Sequence, residues 1–395
     1  MVAIKQDPTI RAGGNIPMRP MSRRNRLLGN RFMARSQGPC RVACFLVLGL
    51  ILLGAAPATA PTSAPAEDAG FSAPDGIVTD LWAAPGGKHI VWATYSTDGH
   101  GLNHGTVLLQ DTTTGKADSL CDLLELPRDT KSFYPQFSAD GRMLLVHDIV
   151  KDINGYHVYD IEHKKTVDVI RKRSDTPYAS WAGDRVALYG DGREMDVPLV
   201  LVEPFTGKQT ELPVRGRLLA ASPDGGVMLV LGIVGAPPAT TRPFAVFARE
   251  ARLHFLDPTG RPLRPDLDAM QLGRFAALSP DGKLAACKYP GMAVIPTGAV
   301  GSLRQVTVED VTIKFANSAW GSDAQVKVAA NPVAVTNAGG VLSFAPGLLR
   351  FTDPAGSTRT LAADFKKYSI AGDSIYYIRT ERDAPRVNRV RIPER

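Results

Sequence analysis

The chain has 395 residues, 44% of them hydrophobic and 22% charged, which is an ordinary globular composition and leaves room for two domains or one large repeat fold. The formal net charge of +7 points at first to an anionic partner. However, nine of the 46 basic residues and only one of the 39 acidic residues lie in residues 1–60, which leaves 37 and 38 in the remainder. A nearly neutral body excludes nucleic-acid binding through global charge, and we expect no nucleic-acid partner.

An apolar segment near the N-terminus predicts export. Residues 42–54 read V-A-C-F-L-V-L-G-L-I-L-L-G, with basic residues before them and small residues after them up to Ala60. This arrangement is typical of a secretory signal, whereas a full transmembrane helix needs about 20 residues. If the signal is not cleaved, it remains as a membrane anchor with its basic end in the cytoplasm. We therefore expect a periplasmic or extracellular body, and either Met21 or Met33 as the true start.

The rest of the chain reads as β-strands separated by tight turns. Short β-branched and aromatic runs alternate with Gly, Asp, Asn and Pro, which predicts an all-β fold. At Ser279–Gly282 the sequence S-P-D-G suits a type I hairpin turn, because Pro280 presets φ and Gly282 accepts a positive φ. Related turns recur at Ala84–Gly87, Ser138–Gly141, Ala182–Asp184, Ser222–Gly225, Gly321–Asp323 and Ala371–Asp373.

A second turn, of the form D-x-x-T-G-K, ends a later strand in most repeats. It occurs at Asp111–Lys116, Asp160–Lys164, Glu203–Lys208, Asp257–Arg261 and Asp353–Ser357. The first turns recur every roughly 40–57 residues, close to the length of a four-stranded propeller blade. We therefore predict a seven-bladed β-propeller of four-stranded antiparallel blades, with six or eight blades as alternatives. Because the last repeat has room for three strands, a strand near Ala69–Asp80 should complete it.

These hairpins resemble a known repeat. The S-P-D-G-x-L-A hairpin, with an upstream aromatic residue and a downstream D-x-x-T-G-K turn, resembles the TolB-like (WD-repeat-like) propeller repeats of exported bacterial proteins. The resemblance is strongest at Ser222–Leu231 and Ser279–Ala286 and covers about Asp75–Arg395. That family includes periplasmic partner-binding proteins and the gating propellers of prolyl-oligopeptidase-like enzymes. Resemblance at the level of the repeat implies the fold and transfers no binding residue.

Four regions and two cysteines complete the predicted organisation. We expect a basic extension (1–41), a signal or anchor (42–60), an Ala/Pro-rich linker (61–75) and the propeller (76–395). Beyond the leader only Cys121 and Cys287 remain, and they are widely separated. We favour two buried thiols over a disulfide.

Binding residues are expected in the variable loops between the second and third strands of the blades, because such loops project from one rim of a rigid scaffold. These loops are predicted at Ser96–Gly105, Asp148–Gly155, Gly190–Pro198, Ile233–Arg249 and Asn331–Pro346. The candidate binding residues within them are His100, His104, Asp191, Arg193, Asp196, Arg242, Phe244 and Phe247.

The chemistry of these loops favours contact with a protein over metal binding. His100 and His104 lack a third ligand nearby, so solvated histidines are the preferred interpretation. The carboxylates of 191–196 miss the spacing of acidic calcium loops, which favours a polar hairpin tip. The insertion 235–247, rich in Pro and Phe, is typical of protein contact or else packs over the rim. We therefore predict no metal and no cofactor.

No sequence motif indicates catalysis. The chain has no G-x-S-x-G elbow, H-E-x-x-H, C-x-x-C or P-loop. We predict a monomeric, non-catalytic binding or scaffolding propeller whose partner is a protein or peptide of the cell envelope. The alternative is a propeller hydrolase or lyase acting on a sugar or lactone in its central tunnel, with scattered histidines and a possible metal. A structural envelope protein is a third interpretation.

Overall fold

The computed structural model describes the body of the chain as an all-β protein. Within the described part, no helix is both long and apolar enough to span a membrane. The predicted basic extension and signal or anchor segment lie outside the described residues. The described residues are 67–72, 77–97, 103–126, 133–148, 155–171, 178–190, 197–234, 251–268, 276–288, 291–299, 301–308, 310–315, 324–379 and 386–393.

Antiparallel strands make up nearly all of the regular structure. A 3₁₀ turn at Pro85–Gly87 and a short helix α1 (Leu120–Leu123) accompany them. In chain order the described strands are β1 (Glu67–Ser72), β2 (Ile77–Ala83), β3 (His89–Thr97), β4 (Asn103–Asp111), β5 (Ala117–Ser119), β6 (Phe133–Phe137), β7 (Met143–Asp148), β8 (Gly155–Asp160), β9 (Lys165–Arg171), β10 (Tyr178–Ala182), β11 (Arg185–Tyr189), β12 (Pro198–Val202), β13 (Gln209–Ala221), β14 (Met228–Val234), β15 (Arg252–Leu256), β16 (Leu267–Asp268), β17 (Ala276–Leu278), β18 (Leu284–Lys288), β19 (Met292–Pro296), β20 (Arg304–Val306), β21 (Val311–Phe315), β22 (Ala324–Val328), β23 (Asn331–Val335), β24 (Val341–Ala345), β25 (Leu348–Thr352), β26 (Thr358–Ala363), β27 (Phe365–Ala371), β28 (Ser374–Arg379) and β29 (Arg386–Arg391).

The strands form the antiparallel meanders of a β-propeller. The first blade is β2–β5 and the second is β6–β9; further four-stranded sheets are β17–β20, β23–β26 and the last blade, β27–β28–β29–β1. Strands β10–β16 form one seven-stranded sheet, and β21 pairs with β22 in a two-stranded sheet. In each meander the turns from first to second and from third to fourth strand lie at one end. We call that end the tight-hairpin face and the opposite end the loop-rich face.

The predicted number of seven separate blades is not supported. Counted as hydrogen-bonded sheets of four or more strands, the described residues form six blades, one of the two alternatives. The reason is β13, which pairs with β12 through its first half and with β14 through its second half. No turn interrupts this strand, so two four-stranded meanders share it and become one sheet.

The predicted sixth first turn, Gly321–Asp323, stays a prediction. Residues 321–323 lie outside the described residues, and the strands on either side, β21 and β22, pair with each other. The next four-stranded sheet begins at β23, and its first turn is Thr336–Gly340. This sheet packs directly against the sheet β17–β20: Ala286 and Val294 of that sheet share a buried cluster with Val335 and Val341.

The N-terminal strand completes the last blade, as predicted. β1 pairs with β29, with Glu67 opposite Arg389 and Asp68 opposite Asn388. This strand lies inside the segment 61–75 that was expected to be a linker, so the propeller begins nine residues before the predicted boundary of 76, at Glu67. The outermost position of the last blade is therefore filled by the start of the body.

The S-x-D-G turns have the predicted conformation and share one set of hydrogen bonds. In the turn at 279–282, the Ser279 hydroxyl donates to Asp281 Oδ1 at 2.7 Å, and Ser279 Oγ accepts from Leu284 N at 2.9 Å. Gly282 has a φ of +69°, a conformation that favours glycine. The same bonds recur in the turns at 138–141 and 222–225. These side-chain bonds hold the hairpins of the tight-hairpin face in fixed positions.

The core lies between successive blades. Leu109 and Leu120 of the first blade pack with Leu144 and Tyr159 of the second, and similar clusters join the other neighbouring sheets. Strand β12 is buried at every position because it is covered on both faces. Cys121 and Cys287 are both buried, in different blades, and no disulfide joins them.

Candidate functional site

The predicted binding residues fall on parts of the chain about which the structure gives no side-chain information. Residue 104 lies in β4, and the other seven candidates lie outside the described residues. The candidates therefore stay predictions. One predicted loop needs correction: Asn331–Pro346 contains strands β23 and β24 and their tight turn. It is not a loop between second and third strands.

A cleft between the first and second blades opens on the tight-hairpin face. Its volume is about 560 Å³, within the range of small-molecule and side-chain binding pockets. The apolar part of its lining consists of Leu109, Leu123, Tyr159 and Ile161, together with Ala84 and Pro85. The polar rim carries Lys88, His89, Asp111, Lys116, Asp118, Asp140, Arg142, Glu162 and Lys164.

Local hydrogen bonds fix both walls of the cleft. In the first blade, Thr112 N donates to Lys88 O at 2.9 Å, which ties the second turn to the first. In the second blade, Ile161 N donates to Arg142 O at 3.0 Å in the equivalent way. Ser119 Oγ caps α1 by accepting from Asp122 N at 3.5 Å, and this short helix places Leu123 against the cleft. The cleft is therefore held by paired turns that the repeat itself supplies.

The acidic groups of the cleft are largely occupied by contacts within the protein. Asp111 accepts from Thr113 N at 2.8 Å and Thr114 N at 3.2 Å. Burial opposes ionisation of Asp111, but these hydrogen bonds prevail and hold its pKa below the ordinary value. Asp118 pairs with Lys116 at 3.1 Å.

The second wall shows the same pattern. Asp140 Oδ1 accepts from the Ser138 hydroxyl at 2.6 Å and from Arg142 N at 3.0 Å. Glu162 pairs with Arg142 at 3.6 Å across exposed side chains. Among the described residues, no ion pair involves Lys88 or Lys164, which both line the cleft.

An apolar pocket adjoins the cleft on the same face. It has a volume of about 290 Å³ and shares Asp140 and Arg142 with the cleft as lining residues. Its other side is formed by Trp181 and Pro204, with Phe205 at the entrance. The Phe205 side chain is 69% exposed, the highest value among the large hydrophobic residues that the structure describes. Aromatic side chains are enriched in protein-contact surfaces relative to the rest of the protein surface.

A third cavity lies along the first strands of several blades, where a propeller has its central opening. Its volume is about 740 Å³, and Asp80 and Lys367 lie in its lining 2.7 Å apart. They form a half-exposed ion pair. In the described part of the chain, no group of three or more His, Cys, Asp or Glu side chains is placed to hold a metal ion.

Three of the described histidines lie in different parts of the propeller. His89 lines the cleft, and burial lowers its pKa more than the charge of Asp111 raises it. His163 pairs with Asp160 in a turn at 2.8 Å, and His254 Nδ1 faces Asp266 at 2.8 Å in a different blade. The structure thus does not bring these three side chains together at the central cavity.

Sequence reasoning placed function on the loop-rich face and missed the cleft residues. Tyr159, Lys88 and Lys164 each read as ordinary repeat positions. Phe205 had a recognisable signal, because in Glu203–Lys208 it occupies the place that Thr113 has in the first blade. The corresponding residue in the other four turns is Thr113, Glu162, Thr259 or Ala355, so the aromatic ring is particular to this turn.

No protein-family model matches the chain, and no curated protein matches it. Among solved structures it is similar to an oligogalacturonate lyase from Vibrio parahaemolyticus, with 14% identity, 82% of this chain and 93% of that chain covered, and a TM-score of 0.46. It is also similar to the β-propeller domain of the Trilobed protease from Pyrococcus furiosus, with 11% identity, 80% and 81% covered, and a TM-score of 0.38. The propeller assignment rests on the strand order and register of this chain, and the TolB-like resemblance stays a prediction.

Proposed function

We propose that this chain is an exported or membrane-tethered propeller that binds a protein or peptide of the cell envelope without catalysis. The observation that carries the proposal is the 69% exposed ring of Phe205 at the entrance of an apolar pocket on the tight-hairpin face. Export is inferred from the apolar segment 42–54 and the small residues that follow it.

A macromolecular partner fits this surface better than a small ligand alone does. The apolar pocket and the charged cleft are neighbours that share Asp140 and Arg142, so one extended partner can contact both. Aromatic residues near the centre of an interface supply much of its binding energy. Phe205 is therefore the expected anchor of the interaction.

The loop-rich face remains the second candidate surface. It carries the predicted residues His100, His104, Asp191, Arg193, Asp196, Arg242, Phe244 and Phe247. Its support is the Pro- and Phe-rich composition of the insertion 235–247.

Site-specific photo-crosslinking in the cell envelope distinguishes the two faces. A benzophenone amino acid is introduced at Phe205 in one variant and at Val234 in another. Val234 is 38% exposed and is the last residue of β14, at the loop-rich face. We expect a discrete crosslinked partner from position 205 and none from position 234. Crosslinking from 234 alone would assign the partner to the loop-rich face, and no specific product from either position would count against a binding function.

A further inference from the structure

The hydroxyl of Tyr159 is left unexplained by the packing of the blades. Tyr159 is 1% exposed, within the cluster between the first and second blades, and its hydroxyl has no hydrogen-bond partner among the described residues. Two polar aromatic groups elsewhere in the propeller are satisfied: Trp92 Nε1 donates to Gln110 Oε1 at 2.7 Å, and Trp181 Nε1 donates to Gln136 O at 2.9 Å. An unpartnered buried hydroxyl is destabilising, so its presence in the lining of a cleft indicates that a ligand supplies the partner.

The Tyr159 hydroxyl is suited to donate a hydrogen bond. Burial raises the pKa of Tyr159, and the negative charges of Asp118 and Asp160 raise it further. The group therefore stays protonated at physiological pH and presents an O–H to the ligand. Its complement is an acceptor oxygen.

Two ammonium groups of the cleft have no ion pair among the described residues, whereas each of its carboxylates is held by contacts within the protein. The carboxylates of Asp111, Asp118, Asp140 and Glu162 are engaged by backbone amides, by a hydroxyl or by basic side chains of the protein. Lys88 and Lys164, at the same rim, have no ion pair among the described residues. An acceptor that also carries negative charge satisfies the hydroxyl and the two ammonium groups together.

We infer that the cleft binds the carboxylate side chain of an acidic residue in the partner peptide, beside an apolar residue that occupies the Phe205 pocket. Tyr159 donates its hydroxyl hydrogen to the carboxylate, and Lys88 and Lys164 supply the charge. We expect the acidic and the apolar residue close together in one peptide because the cleft and the Phe205 pocket are neighbours that share the lining residues Asp140 and Arg142. The inference rests on the proposed peptide-binding function and adds the chemistry of the peptide.

Selection of random heptapeptides displayed on phage against the full-length protein in detergent tests this. We expect the selected peptides to be enriched in Asp or Glu near an aromatic or aliphatic residue. A Lys88→Gln/Lys164→Gln variant should lose the preference for acidic residues and keep the preference for apolar ones. A Phe205→Ser variant should lose the preference for apolar residues and keep the preference for acidic ones. Lys283→Gln/Lys327→Gln, which removes the same charge from residues outside the cleft, is the matched control and should select as the natural protein does.

The role of Tyr159 is tested with one selected peptide and its Glu→Gln counterpart. Tyr159→Phe should weaken binding of the acidic peptide about tenfold, the loss expected for one charge-assisted hydrogen bond, and weaken the amide peptide less, because a neutral carbonyl oxygen accepts a weaker hydrogen bond. Its melting temperature should equal or exceed that of the natural protein, because the unpartnered hydroxyl is gone.

The outcomes separate the two proposals. Peptides that depend on Phe205 but show no acidic preference, or an acidic preference retained in the double lysine variant, would overturn the carboxylate site alone. Equal affinity of Tyr159→Phe for the acidic peptide would overturn the assignment of the hydroxyl. Failure to enrich any peptide would count against both the site and the peptide-binding function.

Discussion

Gly183 and Gly225, in the first turns of two adjacent meanders, meet with their backbones in contact. A Cβ atom on Gly183 would lie 2.8 Å from Gly225 N, closer than such atoms approach in folded proteins. Gly183 also has a φ of +69°. The tight-hairpin face is thus closed at this point by backbone packed on backbone, which a side chain would prevent.

Gly183→Ala should therefore destabilise the fold by about 3 kcal/mol, the sum of an unfavourable positive φ and a steric overlap with the backbone. Gly207→Ala is the control: Gly207 has a similar φ of +67°, but nothing lies within 4 Å of its would-be Cβ. That variant should lose only about 1 kcal/mol. Urea unfolding of both proteins measures the difference, and equal losses would show that the contact with Gly225 is not a constraint.

The strand β1 should contribute to stability through Phe71. This ring packs against the cluster of the first and last blades, with its centroid 6.3 Å from that of Tyr376. Phe71→Ala should lower the free energy of unfolding by about 2 kcal/mol, less than for a fully buried ring. Phe205→Ala, which removes the same side chain from an exposed position, should change stability by less than about 0.5 kcal/mol. A Phe71 variant as stable as the Phe205 variant would mean that β1 is dispensable.

Acid should weaken the fold in part through Asp257. Burial raises the pKa of this carboxyl, but hydrogen bonds from Thr259 and Arg261 outweigh burial and bring the pKa to about 2, below the ordinary 3.8. Because the folded pKa is depressed, the stabilisation is present above pH 4 or so and is lost as the pH falls through 2.

The test of this assignment is denaturant unfolding between pH 5 and pH 2. Asp257→Asn should be less stable than the natural protein at pH 5, with the difference shrinking towards pH 2. Asp184→Asn, at a side chain that is 94% exposed, should follow the natural protein throughout. A stability gap for Asp257→Asn that does not vary with pH would contradict the assigned role.

Cys287 should be unreactive in the folded protein. Its thiol is fully buried, and burial raises its pKa to about 12 although the nearby Arg264 guanidinium acts in the opposite direction. The thiolate is the reactive form, so alkylation by iodoacetamide at pH 8 should be at least about 100-fold slower than in guanidinium chloride. Mass spectrometry of the peptide containing Cys287 follows the reaction. Comparable rates in the two conditions would show that this blade opens readily.

The features that depend on local chemistry were predictable from the sequence. The S-x-D-G turns form because Ser279, Asp281 and Gly282 satisfy one another and the adjacent backbone, whatever the rest of the chain does. The pairing of β1 with the last blade was predictable. The C-terminal repeat has room for only three strands, so the fourth strand of that blade must come from the N-terminal part of the body.

The blade number was not predictable, because competing turn signals look alike. Thr336–Gly340, the first turn of the sheet β23–β26, resembles other Gly-containing turns of the chain in sequence, and packing against the preceding four-stranded sheet fixes its place. Within β13, Gly216 suggests a break, yet it lies directly opposite Gly232 and the strand continues past it.

The candidate site was hidden for a different reason. Its residues come from separate blades, so Lys88 and Tyr159 line the same cleft only after the first and second blades have packed together. No spacing along the chain encodes that contact.

The pairing of Glu67 with Arg389 joins positions 322 residues apart (389 minus 67), which has a consequence for biosynthesis. A ribosome makes β1 first and β29 almost last, so the ring stays unsealed until translation is nearly finished. A premature stop near the C-terminus would leave β1 as an unmatched edge, available to recruit a second copy and start aggregation.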